Sequence, residues 1–522
     1  MSTYRYALIA CCISSTFGIT ARAVANVQVI TNDNFAIADT LSDKEPISFN
    51  TPFEINLPVK PIKPDADSID EVISSTTQSL PSQRSNDDSK ITDADSNKTT
   101  LTEQYSQQNN LLVLEDAIND AIKSRQWQAL QHLLPAYKQQ PDHDLLLYYY
   151  ALGGIYRSQN RHKEAIAAYQ TIIDAEPELV YPRFDLGVML FENKQYQQAE
   201  YEIQRARSGL DSQMQQLADS YLEYIKQRQR WQFDASINYE ATDNVNNASS
   251  TRVINWGGKQ WRKTEDSLPQ SAHGIRYALE ASRDVNITGN HFGHMNVDIN
   301  GVHYWDNSDY SEQSTRLAAG YEYRDIKTTF SLTPFVEHNW LGGDSYNQML
   351  GINTYSRYQL NDKWQTSAGL GYSKKEYRQP SLSAKYDGHI LSTNGTLLYT
   401  IDPTWLVYGS LNWSDDRTED AEKASIRRGI SLGTTKLLQN GLGVRFGTQY
   451  AKRDFKAAGT LVYPFIREDK EYRLQSELWH NKLSYKGLVP HLNISYLNID
   501  SNMPGFYSRD EFQWLISLQK SF

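Results

Sequence analysis

The sequence predicts a multi-domain α + β protein, an N-terminal α-helical repeat solenoid followed by a 14-stranded antiparallel transmembrane β-barrel. Three observations carry that expectation. From Trp231 to Phe522, short segments alternate large apolar with polar residues. The links between those segments alternate short and long. Upstream of them, small residues return at a spacing of 34 (187 − 153).

The two-faced writing is clearest at the end of the chain. In Glu511–Phe522 one face carries Phe512, Trp514, Ile516, Leu518 and Phe522, while Glu511, Gln513, Leu515, Ser517, Gln519 and Ser521 fall on the other. Successive side chains of a strand point to opposite faces, and about 9–11 tilted residues cross the hydrocarbon core of a bilayer. The same pattern runs through Trp231, Phe233, Ala235, Ile237 and Tyr239, and through Leu442, Val444, Phe446, Thr448 and Tyr450. Fourteen such segments begin near Trp231, Gly274, His291, Ser314, Thr328, Met349, Trp364, Tyr386, Trp405, Ser425, Gly441, Glu471, Val489 and Glu511. An even number suits a closed barrel, and closure is what strands need where no water can satisfy their backbone. Short links at Asn286–Asn290, Asp325–Lys327, Asn361–Lys363, Ile401–Thr404, Gln439–Gly441 and Tyr485–Leu488 alternate with long ones such as Ala241–Ala272 and Asp454–Asp469. Fourteen strands put both ends of this region on the short-turn, periplasmic side. Whatever precedes Trp231 is therefore expected in the periplasm.

Composition agrees with this reading. Aromatic residues make up 12%, with 34 Tyr and 11 Trp, an excess that fits girdles at two membrane interfaces. Mean hydropathy is −0.62, because only alternate barrel residues face lipid. Net charge is −10, which argues against nucleic acid as a partner. Residues 1–25 read as a secretory signal peptide, with Arg5, an apolar core at Tyr6–Ile13 and an A-x-A site at Ala21–Ala23 or Ala23–Ala25. Leu8-Ile9-Ala10-Cys11 has the form of a lipoprotein box, but the apolar run before it is too short. Both cysteines, Cys11 and Cys12, fall in this leader, so no thiol chemistry is expected of the mature chain. Residues 26–110 are polar and acidic, and too poor in large apolar residues to offset ordering entropy, so a disordered linker is expected there.

Residues 111–230 change to helical period. Leu152-Gly153, Tyr156, Ala165, Tyr169 and Pro177 stand at the offsets of a tetratricopeptide repeat. Leu186-Gly187, Leu190, Ala199 and Ala206 follow one period later. A poorer helix pair is expected over Leu112–Gln139 and a capping helix over Asp211–Arg230. The first helix of each pair lines a groove that suits a peptide or protein, and here it would present Tyr150, Arg157, Tyr181, Phe184 and Phe191. The alternative is that these aromatics fill the inter-repeat core and Arg157 is merely solvated.

Motifs for chemistry are lacking. His291-x-x-His294 on a strand places its two rings on opposite faces, unsuited to one metal ion. There is no H-E-x-x-H, G-x-S-x-G, phosphate loop or dinucleotide fingerprint, so neither a cofactor nor an enzyme is expected. His338 and His389 remain as conceivable members of a rim triad, which sequence alone does not assemble.

Several motifs carry a family resemblance. Asp243-Asn244-Val245-Asn246-Asn247 follows the first strand, Glu337-His338-Asn339-Trp340-Leu341-Gly342-Gly343 ends the fifth, and the run Tyr496–Tyr507 precedes the last. With the repeats and the barrel, these resemble the Slam (surface lipoprotein assembly modulator) family over residues 111–522. The resemblance implies an outer-membrane translocon of Gram-negative bacteria. It would carry client proteins, surface lipoproteins or haem- and iron-scavenging proteins with a small β-barrel domain, from periplasm to surface or medium. It also implies periplasmic chaperones and the barrel-assembly machinery as partners, with Phe522 as the signal that machinery reads. An exopolysaccharide exporter with periplasmic repeats, or a passive porin, are the other classes compatible with repeats joined to a barrel.

Overall fold

The period change near residue 230 marks a change from helices to strands. The computed structural model describes residues 98–520, apart from 257–258, 460–464, 484 and 486–487, and also a short antiparallel pairing of Gln28–Val29 with Ile55–Asn56. The leader, most of the acidic tract and Phe522 lie outside the described residues. Seven helices come first: α1 (Lys98–Lys123), α2 (Trp127–Lys138), α3 (Leu145–Ser158), α4 (His162–Ala175), α5 (Val180–Glu192), α6 (Tyr196–Arg207) and α7 (Ser212–Arg228). The first begins thirteen residues (111 − 98) before the expected start of the helical region. Lys98–Asn110 holds few apolar residues, and so writes no apolar stripe to announce a helix.

The helices pair as hairpins with one repeated device. Residues Arg125, Asn160 and Lys194, in the turns between paired helices, have positive φ of 54°, 57° and 66°. Within each of the two clear repeats, a glycine on the first helix receives a large side chain of the second. A Cβ on Gly153 would stand 2.4 Å from Tyr169, and one on Gly187 2.5 Å from Ile203. Ala165 and Ala199, one period apart, are both fully buried. Asp144 and Asp211 cap α3 and α7, each accepting from two backbone N–H groups of the first turn. The terminal α7 closes the stack through Met214, Ala218, Tyr221 and Ile225. Three residues then separate it from the first strand.

Fourteen strands follow: β1 (Gln232–Thr242), β2 (Ala272–Thr288), β3 (His291–Tyr304), β4 (Glu312–Arg324), β5 (Thr328–Leu341), β6 (Asp344–Gln359), β7 (Trp364–Tyr377), β8 (Gly388–Asp402), β9 (Trp405–Thr418), β10 (Ser425–Leu437), β11 (Leu442–Ala458), β12 (Ile466–His480), β13 (Leu488–Ser501) and β14 (Arg509–Lys520). Each pairs antiparallel with its sequence neighbours, and β14 pairs with β1 to close the ring. In β7 the alternation is strict. Gln365, Ser367, Ser373 and Lys375 are buried toward the lumen, while Trp364, Ala368, Leu370 and Tyr372 face outward. Elsewhere the outer surface shows Phe233, Ile237, Leu350 and Leu411, each more than 60% exposed. Large apolar groups outside and polar ones inside are what a strand in lipid requires. Trp364 and Tyr399 meet as tilted rings 4.5 Å apart near the short-turn end, and Tyr450 and Tyr472 at 5.2 Å further up the wall.

Replacing Gly187 by Val is expected to cost the repeat domain about 1–3 kcal/mol through overpacking against Ile203. Thermal unfolding followed by the helical circular-dichroism signal should show this loss, while the heat-modifiable mobility of the barrel on gels stays unchanged.

Candidate functional site

The repeat domain and the barrel meet at the short-turn end, through polar groups that the sequence alone did not single out. The turn joining α5 to α6 presses on the β2–β3 turn. Asn290 Nδ2 donates to Asn193 O (2.5 Å), Gln195 Nε2 donates to Asn290 Oδ1 (2.8 Å), and Gln197 N donates to Asn286 Oδ1 (3.0 Å). Further along, Lys163 Nζ stands 3.4 Å from Asp325 in the β4–β5 turn. At the end of α7, Gln229 accepts from Arg283 Nε (3.0 Å) through its backbone O and from Asn286 N (3.2 Å) through its side chain. Phe292 on β3 is fully buried, edge-on to Tyr196 of α6 with ring centroids 5.7 Å apart, and belongs to the hydrophobic core of the repeat domain. An aromatic of the barrel thus completes the solenoid.

The tip of that turn is Lys194. Burial, and then Arg228, Arg324 and Arg357 nearby, push its ammonium down to about 8, with Glu192 pulling the other way. The positive φ that turns the chain between α5 and α6 also holds a cation among cations at the barrel mouth.

Inside, the luminal wall is lined with charge pairs, several of which reach across an intervening strand. Arg324 donates to Glu322 (2.5 Å) and to Asp284 (2.9 Å), and His294 Nδ1 lies 2.7 Å from the other Asp284 oxygen. Asp284, His294 and Glu322 stand close enough to ligate one cation. The Arg324 guanidinium already bridges both carboxylates, so the cluster reads as an ion-pair network. Across the barrel, Glu471 lies 2.8 Å from Arg427 and 3.1 Å from Arg453, while Lys375 and Asp416 pair at 2.7 Å. Such pairs set both signs of charge side by side along the passage rather than a field of one sign. His291 bonds the hydroxyl of Tyr321 at 2.6 Å on the outer side, so the two histidines of His291-x-x-His294 do face opposite ways. Of the rim histidines, His338 bonds Ser345 Oγ (2.9 Å) and His389 lies 5.9 Å from the Tyr372 ring.

The five residues expected in the groove divide by environment. Tyr150 donates its hydroxyl to Asp185 Oδ2 (2.8 Å), and Arg157 reaches both Glu192 oxygens (3.0 and 2.6 Å), each tying α3 to α5. Burial alone would raise Glu192, but Arg157 and His162 outweigh it and hold the carboxyl at about 2. Phe184 is buried in the core beside Tyr221, and Phe191 packs between Tyr196 and Tyr221. Tyr181 alone of the five is largely open, 41% exposed, with its hydroxyl 3.4 Å from Asp211.

Two measurements test this junction. Truncating Phe292 to Ala should cost about 3–5 kcal/mol of packing and release the repeat domain, seen as protease cleavage around Gln229–Trp231 with the barrel still folded. Lys194 binds its proton more weakly in the folded protein (about 8) than in the unfolded chain (10.5). Between those values the unfolded chain holds more protons, so stability rises with pH across that window. Lys194→Met should remove that part of the rise in a pH series of helical melting temperatures.

The family model for the surface lipoprotein assembly modifier matches residues 231–522, and the model for the N-terminal tetratricopeptide repeats of that family matches 99–203. A surface lipoprotein assembly modifier of Pasteurella multocida (strain Pm70) is 31% identical, covering 87% of this chain and 92% of its own length. Surface lipoprotein assembly modifier 1 of Haemophilus influenzae (strain Rd) is 26% identical over 91% of this chain and 97% of its own. The hemophilin secretion modulator of Acinetobacter baumannii is 24% identical over 80% and 88%. With the repeats docked beneath a closed fourteen-stranded outer-membrane barrel, the chain belongs to the surface lipoprotein assembly modifier (Slam) family.

Proposed function

We propose that this chain is an outer-membrane translocon whose clients are surface lipoproteins or secreted haem-binding proteins, brought from the periplasm to the cell surface or medium. The observation that carries the reading is the junction itself. A protein-binding type of solenoid is fastened by side chains and backbone to the periplasmic turns of a charge-lined barrel. A passive pore has no use for such an attachment.

The repeats receive an unfolded or chaperone-held client and keep it beside the pore. Tyr181 is the exposed member of the proposed client-binding set Tyr150, Arg157, Tyr181, Phe184 and Phe191, and the others shape the surface it stands on. No nucleotide motif is present, and client folding outside supplies the direction. A domain that gains about 5–15 kcal/mol on folding at the surface does not slide back. Periplasmic chaperones feed the repeats, and the barrel-assembly machinery inserts the barrel by reading the terminal Phe522.

Deleting residues 111–230 should leave the barrel in the outer membrane and abolish surface display of a co-expressed client lipoprotein, scored by protease shaving of intact cells. Undiminished display by that truncation would refute the receiving role of the repeats.

A further inference from the structure

At one place the charges of the luminal wall do not pair off. On the long-loop side, neighbouring inward positions of β10–β14 hold five arginines, Arg427, Arg453, Arg467, Arg473 and Arg509. Three carboxylates stand among them, Asp469, Glu471 and Glu511. The strand register brings these groups together. Arg427 is directly opposite Arg453, and Arg453 is opposite Asp469. In the next row Glu471 is opposite Ile499, which is opposite Arg509.

The three carboxylates are engaged by other groups. Glu471 is shared by Arg427 (2.8 Å) and Arg453 (3.1 Å). Asp469 belongs to Arg467, whose Nε donates to both of its oxygens (3.1 and 3.0 Å). Two rings hold that guanidinium in place, Tyr507 at 3.5 Å and Phe455 at 4.5 Å from their centroids. Glu511 accepts from Thr242 Oγ1 (3.1 Å). Arg509 is left over. It is 4% exposed and points inward with Glu511, whereas Asp510 and Phe512 face out. Its Nε has no hydrogen-bond partner, and among the described residues no ion pair holds the group. Arg467 and Arg453 are its neighbouring cations. The stretch 460–464, undescribed between β11 and β12, contains neither Asp nor Glu. A guanidinium keeps its charge, and a buried charge without a partner is costly, so this position calls for an anion.

We propose that Arg509, flanked by Arg453 and Arg467, is a luminal subsite for carboxylate side chains of the transported polypeptide. This deepens the translocon reading and rests on it. The planar fork of a guanidinium matches a carboxylate in both shape and charge. The group lies inside the ring, so an anion that reaches it has entered the passage. Arg427, Arg453 and Arg467 are already tied to carboxylates of the wall, which leaves Arg509 as the donor an incoming carboxylate meets. Because Arg509 opens β14, the subsite stands on the long-loop side, away from the repeats. A chain moving outward therefore meets it late, after the periplasmic mouth and most of the lumen.

The test uses the full chain in detergent micelles. The probes are a short fluorescent peptide alternating Glu with Ser, the same peptide with Gln for Glu, and inorganic phosphate. Fluorescence anisotropy should show binding of the Glu peptide, competition by phosphate, and no binding of the Gln peptide. Arg509→Gln should weaken binding of the Glu peptide about ten- to a hundredfold, as loss of a charge-assisted contact does. Lys470→Gln, on the exposed outer face of β12, should leave binding unchanged. Arg509→Met should keep or raise the temperature at which the barrel loses its heat-modifiable mobility, since it removes a buried charge that has no partner. A lowered temperature would make Arg509 a structural member of the wall and overturn the proposal. So would equal binding of the Gln peptide, binding indifferent to Arg509→Gln, or phosphate binding without binding of the Glu peptide. Because binding is read without export, such a result leaves the translocon reading standing, whereas absence of client export by the unmodified chain removes that reading independently.

Discussion

Everything in this protein follows from what lipid denies to a backbone. Without water, each N–H and C=O at membrane depth needs a partner within the sheet, and a ring of strands is the arrangement that supplies one. Ring closure then dictates sequence pattern, since outward positions must be apolar and inward ones need not be. An even strand number brings the start of β1 and the end of β14 to the same face. The helical domain that precedes β1 is therefore held at the periplasmic mouth by topology, before any contact between the domains is considered. Against this constraint, the ladder between β14 and β1 is the shortest among the described residues, with five pairs.

The lumen and the solenoid solve a second problem in the same way, by pairing charges along short paths. Luminal arginines and carboxylates join strands one or two apart, as in Arg427–Glu471–Arg453, so both signs of charge line the passage. In the solenoid, Arg157–Glu192 and Tyr150–Asp185 do the equivalent work between successive first helices. Between the two domains the joints are mostly amides, Asn193, Gln195, Asn286, Asn290 and Gln229, with one aromatic contact at Phe292. Neutral amides hold position without the screening by salt that exposed ion pairs suffer.

The barrel was legible because a period of two sustained over nine or more residues marks a two-faced strand and little else. Strand number, turn order and sidedness all came from it. The alternation marks a strand start late where the strand continues past the lipid band. β6 begins at Asp344 rather than Met349, and β12 at Ile466 rather than Glu471, because polar residues outside the bilayer erase the alternation. The 34-residue spacing located the repeats, and the helical period showed which faces are apolar. It does not show which neighbour each face meets, so Phe184 and Tyr181 look alike in the sequence although one is core and the other open. The docking residues carried no such signal. Gln195 and Asn290 lie 95 residues apart, and an asparagine in a tight turn reads as turn chemistry alone. The Asp243–Asn247 run stands out as a motif, but its bonds across the seam, Asn244 to Asp510 and Asp243 to Phe512, join residues more than 260 apart in the chain.

The helix α7 ends at Arg228 and β1 starts at Gln232, and the intervening Gln229 is itself bonded to β2. Such a brief splice has no slack. A load hung on the solenoid, such as a polypeptide being drawn outward, is transmitted as mechanical force along α7 into a single wall element, the strand that shares the shortest ladder among the described residues. The solenoid is in this sense a lever as well as a receptacle, and traction on its cargo bears on the weakest line of the cylinder.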